Sequence, residues 1–149
     1  MAYISRTYGK ILAFVLSLLG FSAILSSCVK YGAPVSKAIY KAKGIVVSKT
    51  NDTPIEGIRA VLKGHFSYGL DTVYTDNRGV FNLKSKKIDD LGLRFFVELT
   101  DVDGEKNGSF NDMEVEADYY NANFTGGNKK LYRGEAEKDL GVIKLETKE

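Results

Sequence analysis

From residue 39 onward, apolar and polar positions alternate in short runs that turn residues interrupt about every ten positions. The runs are rich in β-branched and aromatic side chains, which suit a pleated, half-buried surface. No stretch repeats apolar residues at helical spacing over three turns. The pattern predicts seven strands, at about Ile39–Ser48, Gly57–Lys63, Asp71–Thr75, Gly79–Lys84, Leu93–Asp101, Met113–Tyr120 and Leu140–Glu146. Seven short strands are the number of an antiparallel Ig-like β-sandwich. In the fifth run Leu93, Phe95, Val97 and Leu99 alternate with Arg94, Phe96 and Glu98, so the first set is expected to face inward. Lys49 to Pro54 is a turn by composition, because Asn51 and Asp52 can satisfy their own backbone and Pro54 has no amide proton for a ladder. Asn77 and Gly79 mark a tight hairpin.

The first 27 residues have a different pattern: Arg6 and Lys10 without an acidic residue, then an apolar run from Ile11 to Leu25, then Ser26, Ser27 and Cys28. This is the order of a secretory signal. The run of 15 residues falls short of the roughly 20 needed to cross a bilayer core, which disfavours a permanent transmembrane anchor. An ordinary signal peptide would leave the chain's lone cysteine as a free thiol outside the cell, where leftover cysteines pair or oxidise. The tetrapeptide Leu25-Ser26-Ser27-Cys28 resembles a bacterial lipobox. That resemblance implies cleavage before Cys28 and attachment of a diacylglycerol to its sulfur, so that acyl chains tether the protein. The expected organisation is a signal peptide at 1–27, a lipidated tether at 28–38 and a sandwich at 39–149. Val29 and Lys30 place no aspartate beside the lipidated residue, which by resemblance to lipoprotein sorting implies the outer membrane, facing the periplasm.

Composition narrows the function. The chain has 21 basic and 19 acidic residues; losing Arg6 and Lys10 with the leader leaves 19 of each. A body without net charge lacks the basic stripe that nucleic-acid binding requires, and that partner class is set aside. A single cysteine cannot staple the fold, which therefore rests on its apolar core.

Two groups of residues carry family resemblances. Gly44-x-Val46, Pro54-Ile55-x-Gly57-Ile58-x-x-Val61 and Thr75-Asp76-x-x-Gly79-x-Phe81 resemble the start of a carboxypeptidase-regulatory-like domain, which implies a transthyretin-like β-sandwich and says little of activity. The lipobox together with Tyr31-Gly32-x-Pro34, Tyr40-Lys41-x-Lys43-Gly44, Pro54-Ile55-x-Gly57-Ile58-Arg59, Asp71 to Asp76, Asp101 to Gly108, Phe124 to Gly127 and Gly134 to Glu137 resembles the lipoproteins paired with a radical SAM enzyme in some Gram-negative bacteria. That likeness implies a radical SAM partner. One cysteine cannot hold the partner's iron–sulfur cluster, so this chain would be companion or substrate and never the radical enzyme.

Candidate chemistry is concentrated in two loops. Asp101, Asp103, Glu105, Asn107 and Asp112 put oxygen side chains at alternate positions of a turning segment, as a hard cation such as calcium prefers. The fit to an EF-hand loop is partial, with Gly104 and Gly108 at the fourth and eighth places and Asp112 where a bidentate Glu would stand. The plainer alternative is a hairpin turning at Asn107-Gly108 with a solvated acidic rim. Glu114, Glu116 and Asp118 alternate with apolar residues as on an edge strand with an acidic outer face. Tyr119, Tyr120, Phe124 and Tyr132 fall in one long connection with amides and glycines, a make-up that suits ligand contact or, alternatively, capping of the core. His65, the sole histidine, reads as a loop residue, since no nucleophile or metal partner accompanies it in sequence. The expectation is a non-catalytic, membrane-anchored interaction or accessory module of the envelope that needs no cofactor, with a calcium- or ligand-binding module as the alternative.

Overall fold

The computed structural model describes residues 14–15, 36–64, 69–89, 94–128 and 131–148. The chain divides into two units, Met1–Pro34 and Val35–Glu149. In the first, Phe14 and Val15 are helical; the expected cleavage site and Cys28 lie outside the described residues, as do His65 and Leu93. Among the described residues, no helix is long and apolar enough to cross a membrane.

The second unit is all-β, with nine strands among the described residues: β1 (Lys37–Ser48), β2 (Ile58–Gly64), β3 (Gly69–Tyr74), β4 (Val80–Lys84), β5 (Ile88–Asp89), β6 (Arg94–Asp101), β7 (Met113–Asp118), β8 (Thr125–Gly126) and β9 (Tyr132–Leu145). They form two sheets. One has the order β4-β1-β9-β8 with β5 also on β1, and the other β3-β2-β6-β7. Each of the seven predicted strands has a counterpart. The count of seven is corrected to nine by β5 and β8, two-residue strands too short to show a period.

The purely antiparallel arrangement is corrected as well. β1 and β9 run parallel over most of their length, a pairing between strands far apart in sequence that alternation cannot signal. The last strand begins at Tyr132, eight residues before the predicted Leu140. Two irregularities hid its first half. The register shifts against β1 between Lys37 and Ala38 and again between Lys43 and Ile45, where Asp139 to Val142 on β9 spans one residue more than β1 does. An extra residue of this kind inverts inward and outward positions beyond it. Gly134 and Ala136 are buried before the second shift and Ile143 and Leu145 after it, while Val142 faces solvent.

One core fills the space between the sheets. Tyr40, Ala42, Val46, Phe81, Leu83, Ile143 and Leu145 from the first sheet meet Ile58, Leu62, Phe95, Val97, Leu99 and Ala117 from the second. The predicted inward face of the fifth run holds for Phe95, Val97 and Leu99, each at most 1 % exposed. Burial of each such side chain contributes about 1.5–3 kcal/mol, so without a disulfide these contacts carry the fold. Tyr40 is the hub at one end: its ring centroid lies 4.3 Å from Phe95, 5.0 Å from Tyr119 and 5.9 Å from Phe124.

Candidate functional site

At the end of the sandwich where β1 finishes, backbone turns converge on Thr75. Its buried hydroxyl donates to the Ile55 carbonyl at 2.7 Å and accepts the Ile58 amide at 3.0 Å, while its own amide donates to the Ile58 carbonyl. One threonine thereby fixes the turn before β2 to the hairpin before β4. The next residue closes that hairpin. Asp76 Oδ1 accepts the amides of Arg78 and Val80, both at 2.9 Å. The Val80 and Arg78 amides favour the charged form and hold the Asp76 carboxyl below the usual aspartate range. Val46 then donates to the Gly79 carbonyl and accepts from the Ile55 amide. Val46, Ile55, Ile58, Thr75, Asp76 and Gly79 of the carboxypeptidase-regulatory-like resemblance thus meet through hydrogen bonds at this end.

The acidic segment folds back on this same end. Asp101 occupies an inward position of β6, next in phase after Leu99, and its Oδ2 accepts the Phe110 amide at 2.8 Å. Its Oδ1 is buried with no hydrogen-bond partner among the described residues. Asn107 turns its amide nitrogen, not its oxygen, toward Asp103 Oδ2 (2.7 Å) and the Glu56 carbonyl (3.2 Å). Glu105 and Asp112 are exposed. Of the five candidate ligands, the structure brings Asp103 and Asn107 into direct contact. Among the described residues, no group of three or more His, Cys, Asp or Glu side chains converges as a metal site would. Phe110 is buried and anchors the loop to the core. β7 is the edge of its sheet, with Glu114, Glu116 and Asp118 exposed.

The aromatic connection separates rather than converges. Tyr119 is buried and donates its hydroxyl to the Lys41 carbonyl at 2.5 Å; burial pushes this phenol above the ordinary tyrosine range. Phe124 packs against the same core and carries the Arg133 guanidinium 4.0 Å above its ring. Tyr132 opens β9 with Lys87 Nζ 4.0 Å above it, and Tyr120 is 77 % exposed on its own.

The outer wall of the β4-β1-β9 sheet has a feature that sequence reading missed. Most of it is a lattice of lysines and carboxylates: Lys41 and Lys84 on Glu135, and Lys43 on Glu137 at 2.6 Å. The two lysines hold Glu135 below the usual glutamate range. Across that lattice runs one aliphatic row. Val80, Ile45 and Val142 are in direct cross-strand register, and Ile45 and Val142 are 38 % and 59 % exposed. With Lys43, Asn82, Asp139 and the backbone of Gly44 and Gly141 they line a depression of about 320 Å³. The runs Gly44 to Val47 and Gly141 to Ile143 read as core in sequence because both neighbours are apolar. A glycine opening each run was the signal that one member turns outward.

Neither a protein-family model nor a curated protein matches the chain. Solved structures that match part of the chain include the TIE protein of Bacillus anthracis, 7 % identical over 74 % of this chain and 18 % of that one, with a TM-score of 0.48. The T6 backbone pilin of serotype M6 Streptococcus pyogenes is 19 % identical over 56 % and 17 %, with a TM-score of 0.41. The dioxygenase domain of a dioxygenase carbohydrate-binding protein fusion from Streptomyces sp. SirexAA-E is 12 % identical over 77 % and 84 %, with a TM-score of 0.42. The chain spans under a fifth of the length of the first two.

Proposed function

We propose that this protein is a non-catalytic contact module of a Gram-negative envelope, lipidated at Cys28, held at the outer membrane facing the periplasm and built on a transthyretin-like variant of the β-sandwich. The contact reading is carried by the row of half-buried Val80 with exposed Ile45 and Val142, an apolar strip on a wall otherwise covered by ion pairs. Strips of this kind, rimmed by charge, suit protein–protein contact. The partner proposed is another envelope protein or the radical SAM enzyme that the sequence resemblance implies. Isothermal titration of the mature chain with that enzyme tests the choice: heat that disappears on Val142→Asp supports it, and no heat with the unmodified chain removes the enzyme as a contact partner. The anchor is tested separately by the intact mass of the native protein, which should show loss of residues 1–27 and gain of acyl groups.

Calcium binding by the 101–112 loop is the second reading. It is favoured by the buried, unpartnered Oδ1 of Asp101, since an oxygen without a donor is what a cation would fill.

A further inference from the structure

β1 begins at Lys37, nine residues after Cys28 (37 − 28), and a chain of that length reaches at most about 30 Å. On the anchored reading proposed above, the end of the sandwich carrying Lys37 stays within that distance of the lipid surface. Three segments share this end. The Lys37 amide donates to the Leu131 carbonyl at 2.9 Å, Lys37 and Ala38 pair with Asp89 and Ile88, and Lys37 also pairs with Tyr132.

Their side chains are basic and partly apolar. Lys37, Lys86, Lys87 and Arg133 are all exposed, and the one exposed carboxylate among the described residues of these segments, Asp89, pairs with Lys37 at 3.8 Å. Lys87 and Arg133 sit over the rings of Tyr132 and Phe124. The Tyr132 face restrains the Lys87 ammonium without cancelling its charge, whereas a carboxylate would neutralise it. Leu131 stands among them, 57 % exposed. The other end of β1, roughly 35 Å away, carries the acidic loop with Asp101, Asp103, Glu105 and Asp112, the exposed Glu56, and Asp52 paired with Lys144 at 2.6 Å.

We infer that the Lys37 end docks on anionic phospholipid headgroups, with Lys86 and Lys87 facing phosphates and Leu131 entering the interfacial layer. Basic side chains next to an anionic surface are attracted within a Debye length, and an exposed aliphatic adds burial in the headgroup region. The acidic loop then points away from the membrane. The proximity of this surface to lipid rests on the anchor; its chemistry does not.

The test uses two forms of the mature chain. The lipidated form, in vesicles of phosphatidylethanolamine with phosphatidylglycerol, is compared with the same form in phosphatidylcholine by amide hydrogen exchange. Residues 85–89 and 131–133 should exchange more slowly on the anionic vesicles only, with the 102–112 loop unchanged. The Cys28→Ser form should co-sediment with anionic vesicles in low salt, about fivefold more weakly for each cation removed in Lys86→Gln and Lys87→Gln, and unchanged for Lys106→Gln at the far end. Equal exchange in both lipids, or vesicle binding indifferent to Lys86 and Lys87, overturns the inference even where intact mass shows the acyl groups. Salt-sensitive vesicle binding by a native chain found without acyl groups would instead remove the anchor and leave the docking surface standing.

Discussion

Val46 and Gly79 approach so closely that the Val46 amide donates to the Gly79 carbonyl at 2.8 Å while the Val46 carbonyl oxygen stands 2.2 Å from where a Gly79 Cβ would lie. Gly79 also has a φ of +71°. Gly104 has the same φ, with nothing within 4 Å of its Cβ position. Gly104→Ala therefore measures the left-handed backbone alone, roughly 1–2 kcal/mol. Gly79→Ala should cost clearly more, because a backbone carbonyl must shift as well. Urea unfolding of the two variants separates the terms, and equal losses would remove the close approach as a determinant of the hairpin.

Thr75 offers a second test at the same end. Thr75→Val keeps the shape but leaves the Ile58 amide without its acceptor and the Ile55 carbonyl without its donor. A loss of about 1–3 kcal/mol is expected from these buried groups. Thr75→Ser, which keeps the hydroxyl, should lose less. The order of the two variants in chemical denaturation decides whether the hydrogen bonds or the methyl group hold the turns together.

The pH profile of stability should carry the signature of Asp76. Its carboxyl, held below the usual range by the Val80 and Arg78 amides, binds a proton less readily in the folded than in the unfolded chain. The stability it contributes is complete above the ordinary aspartate value of about 4 and is lost as pH falls through the lower folded value. Glu135, held down by Lys41 and Lys84, acts in the same direction. Thermal unfolding followed from neutral to strongly acid pH should show Tm falling only in the acid range, less steeply in Asp76→Asn. A Tm that rises on acidification contradicts the sign.

Calcium provides a direct contest between two readings of one loop. With Asp103 satisfied by Asn107 and Asp101 Oδ2 by Phe110, the 101–112 segment is closed by its own hydrogen bonds. The melting temperature is therefore expected to stay unchanged in millimolar calcium, the range in which extracellular modules bind. A rise that vanishes in Asp101→Asn would show that the free oxygen of Asp101 is a ligand and replace the plain-loop reading.

Much of the architecture was legible because strand alternation and turn chemistry act over a few residues. Phe95, Val97 and Leu99 were assigned inward by period alone, and the turns at Pro54 and Gly79 by the backbone states those residues allow. The two candidate loops were legible as loops but not as arrangements. Whether Tyr119 sits in the core and Tyr120 in water depends on the aromatic hub at Tyr40, which comes from a distant strand.

By itself the sequence determined that the body of this chain is all-β, stapled by no disulfide and balanced at 19 basic and 19 acidic residues from Cys28 onward, because composition and period are properties of the chain alone. The tertiary structure decided the parallel pairing of β1 with β9, the outward turn of Val142 beside the buried Ile143, and the clustering of Lys37, Lys87 and Arg133 at one end. Each of these depends on registers between strands far apart in sequence. A single extra residue in one strand inverts every position after it, and only the partner strand reveals where that residue lies.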